Sequence, residues 1–472
     1  MAGGTWTSQN KVRPGAYINT KAAAQPKVDT TLGRTLLINS TQLDWGKDGV
    51  IELNNSSDFQ AALGTKLTDP KFAALRETLK GALTVLLLNA NAGDKAKYED
   101  AALPWNFEAK YAGTKGNDLT VTVEKDPSDA TRITVKTIFG TELVDQQTVR
   151  TTTARALQSN EYVDVVFTGD NTEPIPEVLP VDGGAEFSVE AGKAKLEALA
   201  ASTTYKLAGG TSTESDVTAK LNDALETEQY NTVTTAGFKP DDNIHKLVAQ
   251  MVKRLREDEG YKVRAVLPYL EGDSYDYEGV SVVTNGVELA DGTKLDTTTA
   301  TGWFAGASAA AGAGKSLTYA IYPEAVSAYP RLNNEQTIKA LTSGQIVFTT
   351  RRDGSVVVEQ DLNTLSTFTD DKPKDFRKNQ VIRTLDTIAT NTQLVFETQF
   401  IGKVANDATG RGLFKVNRVS YLRDLADASV IDGFDPEDID VQPGNDKDSI
   451  LVNLAVTPTD AMEKLYMTIT VH

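Results

Sequence analysis

The sequence predicts an α/β (α+β multidomain) protein: a mainly parallel sheet core with helices, an inserted antiparallel β domain, and a C-terminal α/β domain that ends in a strand. Three patterns carry the prediction. Short apolar runs alternate with amphipathic helical patterns over residues 31–95 and again over 206–330. Residues 96–205, between those halves, instead alternate apolar and polar side chains at period two, as half-buried antiparallel strands do. Residues 331–472 return to mixed texture and close on a cleanly alternating segment.

The elements follow in order. Residues 1–30 carry Gly3, Gly4, Pro14, Gly15 and Pro26, too closely spaced for a lasting helix or strand, so an arm is expected in which only Ala16-Tyr17-Ile18 resembles a strand. Such an arm either frays or docks on a neighbouring molecule. Arg34 to Asn39 reads as a buried strand, and Asp69-Pro70 opens a helix bearing Phe72, Leu75 and Leu79 that Gly81 stops. Thr84 to Leu88 is the next strand. After residue 209 the unit recurs: a helix with Val217, Leu221 and Leu225 precedes a strand at Asn231 to Thr235. A second helix, capped by Asp241 or Asp242, carries Ile244, Leu247, Val248, Met251 and Leu255 and ends at Gly260, before a strand at Val263 to Leu267. Such alternation implies parallel strands with helical crossovers.

In the interruption, strands are expected from Leu119, from Arg132 and from Tyr162, with a helical return at Ala191 to Ala201. A β-rich segment between two α/β halves reads as a domain inserted into a loop, where it disturbs the parent sheet least. Asn285-Gly286 lies between two apolar runs and predicts a type I′ hairpin over Val280 to Leu289. A second hairpin is expected at Gln345 to Gln360, turning near Asp353-Gly354, then a helix from Pro373 to about Gln393 burying Val381, Ile382, Leu385, Ile388 and Ala389. At the end, Leu465, Met467, Ile469 and Val471 face one way and Tyr466, Thr468 and Thr470 the other. A strand there must pair with something.

Composition narrows the function. The 472 residues hold 48 Lys+Arg against 65 Asp+Glu, a formal charge of −17, with no cysteine and two histidines, His245 and His472. Disulfide scaffolds, thiol nucleophiles and cysteine-ligated metals are excluded, and histidine-based catalysis loses its usual group. The acidity opposes nucleic-acid binding, which needs clustered bases. The most apolar run, Ala82 to Leu88, is far short of the ~20 residues that span a bilayer, and the opening residues lack a hydrophobic signal core. Cytoplasmic synthesis without membrane insertion is therefore expected.

Candidate chemistry is thin. Gly306 to Ser316 ends in GKS as a phosphate-binding P-loop does, but the glycine required five positions before Gly314 is Ala309. The acidic cluster Glu271, Asp273, Asp276 and Glu278, and the run Asp432 to Asp440, match no calcium loop. His245 sits beside Ile244 without the spacing of a catalytic base. No catalytic, cofactor-binding or metal constellation is expected. Charge segregation says more. Lys372 to Arg423 holds ten bases against four acids, and Asp424 to Asp448 holds nine acids against one lysine. Lys374, Arg377 and Lys378 fall in the first turn of the expected long helix, where the helix dipole disfavours cations, so a basic face directed at an acidic partner is expected there.

Five segments, in this order, then carry a resemblance. They are the opening MAGGTWTSQNKVRPGAYIN, Tyr111-Ala-Gly-Thr-Lys-Gly-Asn-Asp-Leu, Leu225-Glu-Thr-Glu-Gln-Tyr-Asn-Thr-Val, Asp276-Tyr-Glu-Gly-Val with its Asn285-Gly286 turn, and Asp460-Ala-Met-Glu-Lys-Leu-Tyr-Met-Thr. Over essentially the whole chain the sequence resembles the tail sheath proteins of contractile-tailed bacteriophages and phage-like bacteriocin particles. The resemblance implies a structural subunit, not an enzyme, that stacks as six-fold rings around a tail tube and contracts to drive the tube through a cell envelope. It implies exchange arms pairing with neighbouring subunits at about Val12 to Ala22, including Tyr17 and Ile18, and at Leu465 to Val471. It also implies a tube-facing surface at Lys374, Arg377 and Lys378, an inserted domain on the outside, and no cofactor. The implied partners are further copies of the chain, tube, baseplate and tail terminator proteins, within a virion tail assembled in the host cytoplasm. Another virion structural protein, of tube or capsid, is the alternative, and a Rossmann-like enzyme a distant one.

Overall fold

The computed structural model describes residues 3–4, 16–17, 32–168, 195–213 and 216–471. Gly3–Gly4 pairs in parallel with Ala16–Tyr17. Ile18 and most of the expected N-terminal arm lie outside the described residues.

The centre is a seven-stranded sheet in the spatial order Gln345–Ile346, Val280–Val283, Arg264–Pro268, Thr232–Thr234, Arg34–Ile38, Thr84–Asn89, Gly49–Leu53. Every neighbouring pair is parallel except the last, where Gly49–Leu53 runs antiparallel at the edge. Four helices accompany it: α1 (Ala73–Gly81), α2 (Val217–Thr227), α3 (Ile244–Glu257) and α4 (Thr297–Ala310). Successive residues of one strand enter opposite cores. Leu36, Ile38, Leu86 and Leu88 pack with Leu221, Leu225, Val248 and Val252 on the α2/α3 side. Leu37, Val85 and Leu87 pack with Leu75 and Leu79 of α1. With both faces covered, these strands are continuous apolar runs, which is why they were legible in the sequence.

The glycine-rich stretch that ends in GKS begins inside α4 and leaves the helix after Ala310, so no strand-to-helix phosphate loop forms, and Gly306 serves packing. A Cβ on Gly306 would lie 2.4 Å from the Thr78 carbonyl oxygen, and one on Gly81 would lie 2.5 Å from the Trp303 carbonyl oxygen. Only bare backbone lets α1 and α4 approach this closely, so Gly81 marks a helix crossing as much as a helix end.

The Asn285-Gly286 hairpin is a misreading that the structure corrects. Val280–Val283 belongs to the central sheet, whereas Gly286–Leu289 is the middle strand of a separate sheet with Lys294–Leu295 and Ala325–Tyr329. Asn285 is fully buried: its amide donates to the carbonyls of Phe348 and Pro330 and its oxygen accepts from the Phe348 N–H. The chain switches sheets there instead of turning back, and the Asn is a buried backbone substitute. The second expected hairpin forms, as Phe348–Thr350 against Val356–Val358.

Between Thr84–Asn89 and α2 stands a β-sandwich. One sheet orders Glu142–Arg150, Arg132–Phe139, Leu119–Lys125 and Ser202–Lys206; the other orders Val163–Phe167, Trp105–Ala112 and Lys95–Tyr98. Their inward residues, among them Trp105, Phe107, Val121, Val135 and Val163, form one core. Trp45 reaches into that core from outside the sandwich, against Tyr111, Phe139 and Tyr162, while its indole N–H donates to the Ala61 carbonyl at 2.7 Å. Of the expected helix at 191–201, residues 195–198 are helical and 191–194 lie outside the described residues.

Beyond the sheets come α5 (Asn334–Thr342), a 3-10 turn at Lys374–Arg377, α6 (Asn379–Val395), a π-helical turn at Phe396–Phe400 and α7 (Ala408–Asp427). The expected helix from Pro373 is thus broken at Lys378, and its buried face holds Arg383 and Thr384 while Ala389 is exposed. The expected division at residue 331 runs through packed structure: Val283, Phe304, Tyr322, Ile346, Phe348 and Leu362 share one core.

Candidate assembly interface

Residues 464–471 find no partner among the described residues. They form no helix or strand and make no hydrogen bond among the described residues. Leu465 is 84% exposed and Ile469 76%, and Met467 and Val471 also stand in solvent. Alternating large apolar side chains held out of every core are what a strand awaiting a sheet edge presents.

The same region supplies free edges. Ile439–Pro443 and Ile450–Leu454 form a two-stranded antiparallel sheet, each strand having the other as its partner among the described residues. Ile439, Val441, Val452 and Leu454 face Leu422 of α7 and Ile388 of α6, while Asp440, Gln442, Leu451 and Asn453 point away. A hairpin with one packed face and two open edges accepts further strands at little cost, because the ladder already fixes their direction. Neither this hairpin nor α7 is signalled by the sequence patterns above; the acidic residues flanking the first strand and the polar alternation of both obscure it.

Before the tail is released it is tied down. Thr459 bonds Ser429 and Val430, and the Gln380 side-chain amide donates to the Thr459 carbonyl. Lys378 Nζ meets Asp460 at 2.7 Å and Glu463 at 2.9 Å, and Glu463 also accepts from Thr318 and Gln360. Burial raises the Glu463 carboxyl, but the donors Gln360, Lys378 and Thr318 outweigh it and hold it below the ordinary carboxylate range. Burial likewise works against the Lys378 ammonium, yet its two carboxylates hold it above the ordinary lysine value.

These contacts change the reading of the expected tube-facing trio. Lys374 is exposed. Arg377 donates to the carbonyls of Leu341 and Thr342 at the end of α5, and Lys378 is bound as described, so both hold the chain to itself. Neighbouring bases are also engaged: Lys372 with Glu278 at 2.8 Å and Arg383 with Asp361 at 2.5 Å. Among the described residues Lys415 and Arg423 of α7 have neither an ion pair nor a hydrogen bond. Beside them Leu413 and Val416 lie on the solvent side of the helix, opposite Phe414, Arg418 and Leu422.

The remaining candidates have structural duties. His245 is buried, with Nδ1 2.6 Å from the Thr235 hydroxyl and Nε2 2.7 Å from the Lys239 carbonyl, an arrangement satisfied by the neutral ring with Nε2–H donating. Asp276 accepts from the Ser366 and Thr367 backbone and ties two loops. Among the described residues no group of three His, Cys, Asp or Glu side chains is placed to hold a metal ion, and no helix is long and apolar enough to cross a membrane.

Comparison with known proteins gives the context for these edges. Three family models match consecutive parts of the chain: the phage tail sheath protein beta-sandwich domain at residues 90–214, the phage tail sheath protein central domain at 210–364, and the phage tail sheath C-terminal domain at 371–472. The phage-like element PBSX protein XkdK of Bacillus subtilis (strain 168) is 36% identical over 487 residues, covering 100% of both chains. The crystal structure of a sheath tail protein from Desulfitobacterium hafniense is 34% identical, with a TM-score of 0.70 over 96% of this chain and 99% of that one. The helical sheath of the anti-feeding prophage in its contracted state shares the fold, with a TM-score of 0.54 at 13% identity over 98% and 99% of the two chains. Full-length identity to a phage-like element protein and a solved sheath protein, with all three sheath domains in sequence, leaves one conclusion: the chain belongs to the phage tail sheath protein family, a structural component of contractile phage-like particles.

Proposed function

We propose that this chain polymerises as stacked six-fold rings around a tail tube and contracts to drive the tube through a cell envelope, with no catalytic step of its own. The observation that carries the reading is the presence, in one region, of an alternating C-terminal segment without a partner among the described residues and of a hairpin with two open edges. Strand addition between subunits satisfies both, and repeated around a ring it gives a mesh joined by backbone hydrogen bonds. An N-terminal arm around Tyr17 and Ile18 is a second strand donor in this scheme.

Work would come from burial between subunits. At ~25 cal/mol per Å², an extra ~100 Å² of apolar contact per subunit yields about 2.5 kcal/mol, multiplied over every subunit. The tube face in this reading is the outward side of α7, which carries Leu413, Val416 and the free bases Lys415 and Arg423; Lys374 stays a candidate from the expected trio. The units are an N-terminal arm, the central sheet domain, the inserted sandwich on the outside, and a C-terminal domain beginning near residue 365. Baseplate and terminator proteins would cap the polymer, within a virion tail assembled in the host cytoplasm.

Electron microscopy of the purified protein tests the reading. Striated hollow tubes are expected. Monomers under every assembly condition, or closed icosahedral shells, would refute it.

A further inference from the structure

Resting on that reading of the tail as an exchange arm, we infer that Glu463 is the anchor of the arm and Lys378 the post that holds it, so that load on the arm passes into the body of the subunit. Among the described residues hydrogen bonding ends abruptly at Glu463. Both Glu463 carboxylate oxygens are bound, Oε1 by the Thr318 hydroxyl at 2.9 Å and Oε2 by the Gln360 amide at 2.6 Å and by Lys378 Nζ at 2.9 Å. Its side chain is 11% exposed, whereas Met462 on one side and Leu465 on the other are fully or mostly in solvent. From residue 464 to 471 no described residue makes a hydrogen bond.

The three donors come from separate places in the fold. Thr318 follows α4, Gln360 follows the strand Val356–Val358, and Lys378 stands at the start of α6. A surface glutamate tied to one neighbour would swing with it; one tied to three elements keeps a fixed position and direction. Beyond Lys378 the connection continues inward along α6. Arg383 donates to Asp361 at 2.5 Å, and Asp386 accepts two bonds from Arg256 of α3, both at 2.8 Å. The path inward from the arm is therefore a chain of links along α6: Lys378 opens the helix, Arg383 ties it to Asp361, and Asp386 ties it to Arg256 of α3. A pull on the strand would meet that chain before it reached any apolar core. Glu463 acts here as a positioning residue: it fixes where the arm leaves, and the arm makes the contact.

The sequence contains no cysteine, so one introduced thiol carries a single label. A nitroxide on Met462→Cys reports the anchor, and growth of sheath from purified subunits reports the function. Glu463→Ala is expected to leave thermal unfolding within a few degrees of the parent, to turn the label from slow to fast motion, and to reduce the growth rate at least tenfold. Lys378→Met should do the same, and it decides the matter if Glu463→Ala does not fold. Exchanging the charges, Lys378→Glu with Glu463→Lys, should restore part of the growth, which a general loss of stability would not allow. An immobile label or parental growth in the folded variant overturns the anchor. Deletion of 464–472 separates this proposal from the reading beneath it. If the deletion assembles normally, the exchange arm itself is wrong; if the deletion blocks growth while Glu463→Ala grows like the parent, the anchor alone is wrong.

Discussion

Replacing Ile469 by alanine tests whether the tail binds as a strand with one apolar face. In the isolated subunit this side chain is 76% exposed and touches no core, so its loss should move subunit stability by less than about 0.5 kcal/mol. In the assembled sheath it would be buried beside Leu465, Met467 and Val471. Removing about three carbons at ~0.8 kcal/mol each costs ~2 kcal/mol per arm contact. At about 1.4 kcal/mol per decade, the association constant falls ~30-fold. The assay is the critical concentration for polymerisation, read by light scattering and sedimentation, with urea unfolding of the monomer in parallel. Thr468→Ala, on the opposite face, should change that concentration by less than about threefold, since it removes one small polar side chain. Equal shifts for the two substitutions would refute the one-faced strand. So would a loss of monomer stability that accounts for the Ile469 effect.

Other consequences follow from the same contacts. Burial holds the His245 imidazole below its ordinary value of 6.5, so the unfolded chain takes up a proton before the folded one does; stability should fall as pH drops below about 6.5, and His245→Asn should flatten that part of the urea-midpoint profile. Arg256→Met strands the Asp386 carboxylate and should cost ~3–5 kcal/mol in urea unfolding, most of it recovered in the double variant with Asp386→Leu; an unchanged midpoint would show the pair to be incidental. Gly306→Leu forces α1 and α4 apart, because even a Cβ would sit 2.4 Å from the Thr78 carbonyl oxygen, and a loss above ~2 kcal/mol is expected by thermal denaturation. Lys415→Glu with Arg423→Glu should weaken growth templated on purified tubes while sparing untemplated growth and monomer stability; equal templating would remove α7 from the tube contact.

The parts that were legible in the sequence are those where burial fixes a period. Leu36 and Leu37, or Leu86 and Leu87, enter opposite cores, so their strands appear as unbroken apolar runs. The sandwich strand Arg132–Phe139 alternates buried and accessible side chains along its length, so its period is plain in the sequence. Its partner Glu142–Arg150 carries no such signal because it is an edge strand, and most of its side chains lie in or near solvent. Asn285-Gly286 misled because turn chemistry and burial compete there: the Asn amide serves three backbone groups that lie near it only in the folded chain. α7 shows little periodicity because apolar Leu413 and Val416 face outward and Arg418 faces inward, against Asn391 and Thr392. The trio at Lys374 to Lys378 was visible as charge, but which charges folding would neutralise was not. Arg377 meets α5 carbonyls and Lys378 meets residues more than eighty positions away, and neither proximity is written in local sequence.

The distribution of exposed apolar side chains argues for where the permanent contacts lie. Among the described residues twenty-one large hydrophobic side chains are exposed, and eleven of them fall at or after Leu394. The sandwich strands between Lys95 and Lys206 contribute two, Leu143 and Val166. A domain that buries its own apolar surface asks little of its neighbours, while one that leaves out Leu394, Ile401, Leu413, Val416 and the whole tail is incomplete by itself. If contraction rearranges one set of contacts while another set holds, the C-terminal region has the surface for the second role. The sandwich, closed and largely polar outside, is suited to a position where contacts form late or not at all. The anchor at Glu463 sits at the boundary between the central core and the C-terminal region, with Thr318 and Gln360 on the side of the central core and Lys378 opening the C-terminal helix. A mesh held by tails would otherwise load only the last few residues of each chain; tied at that boundary, it loads the domain that has the interfaces.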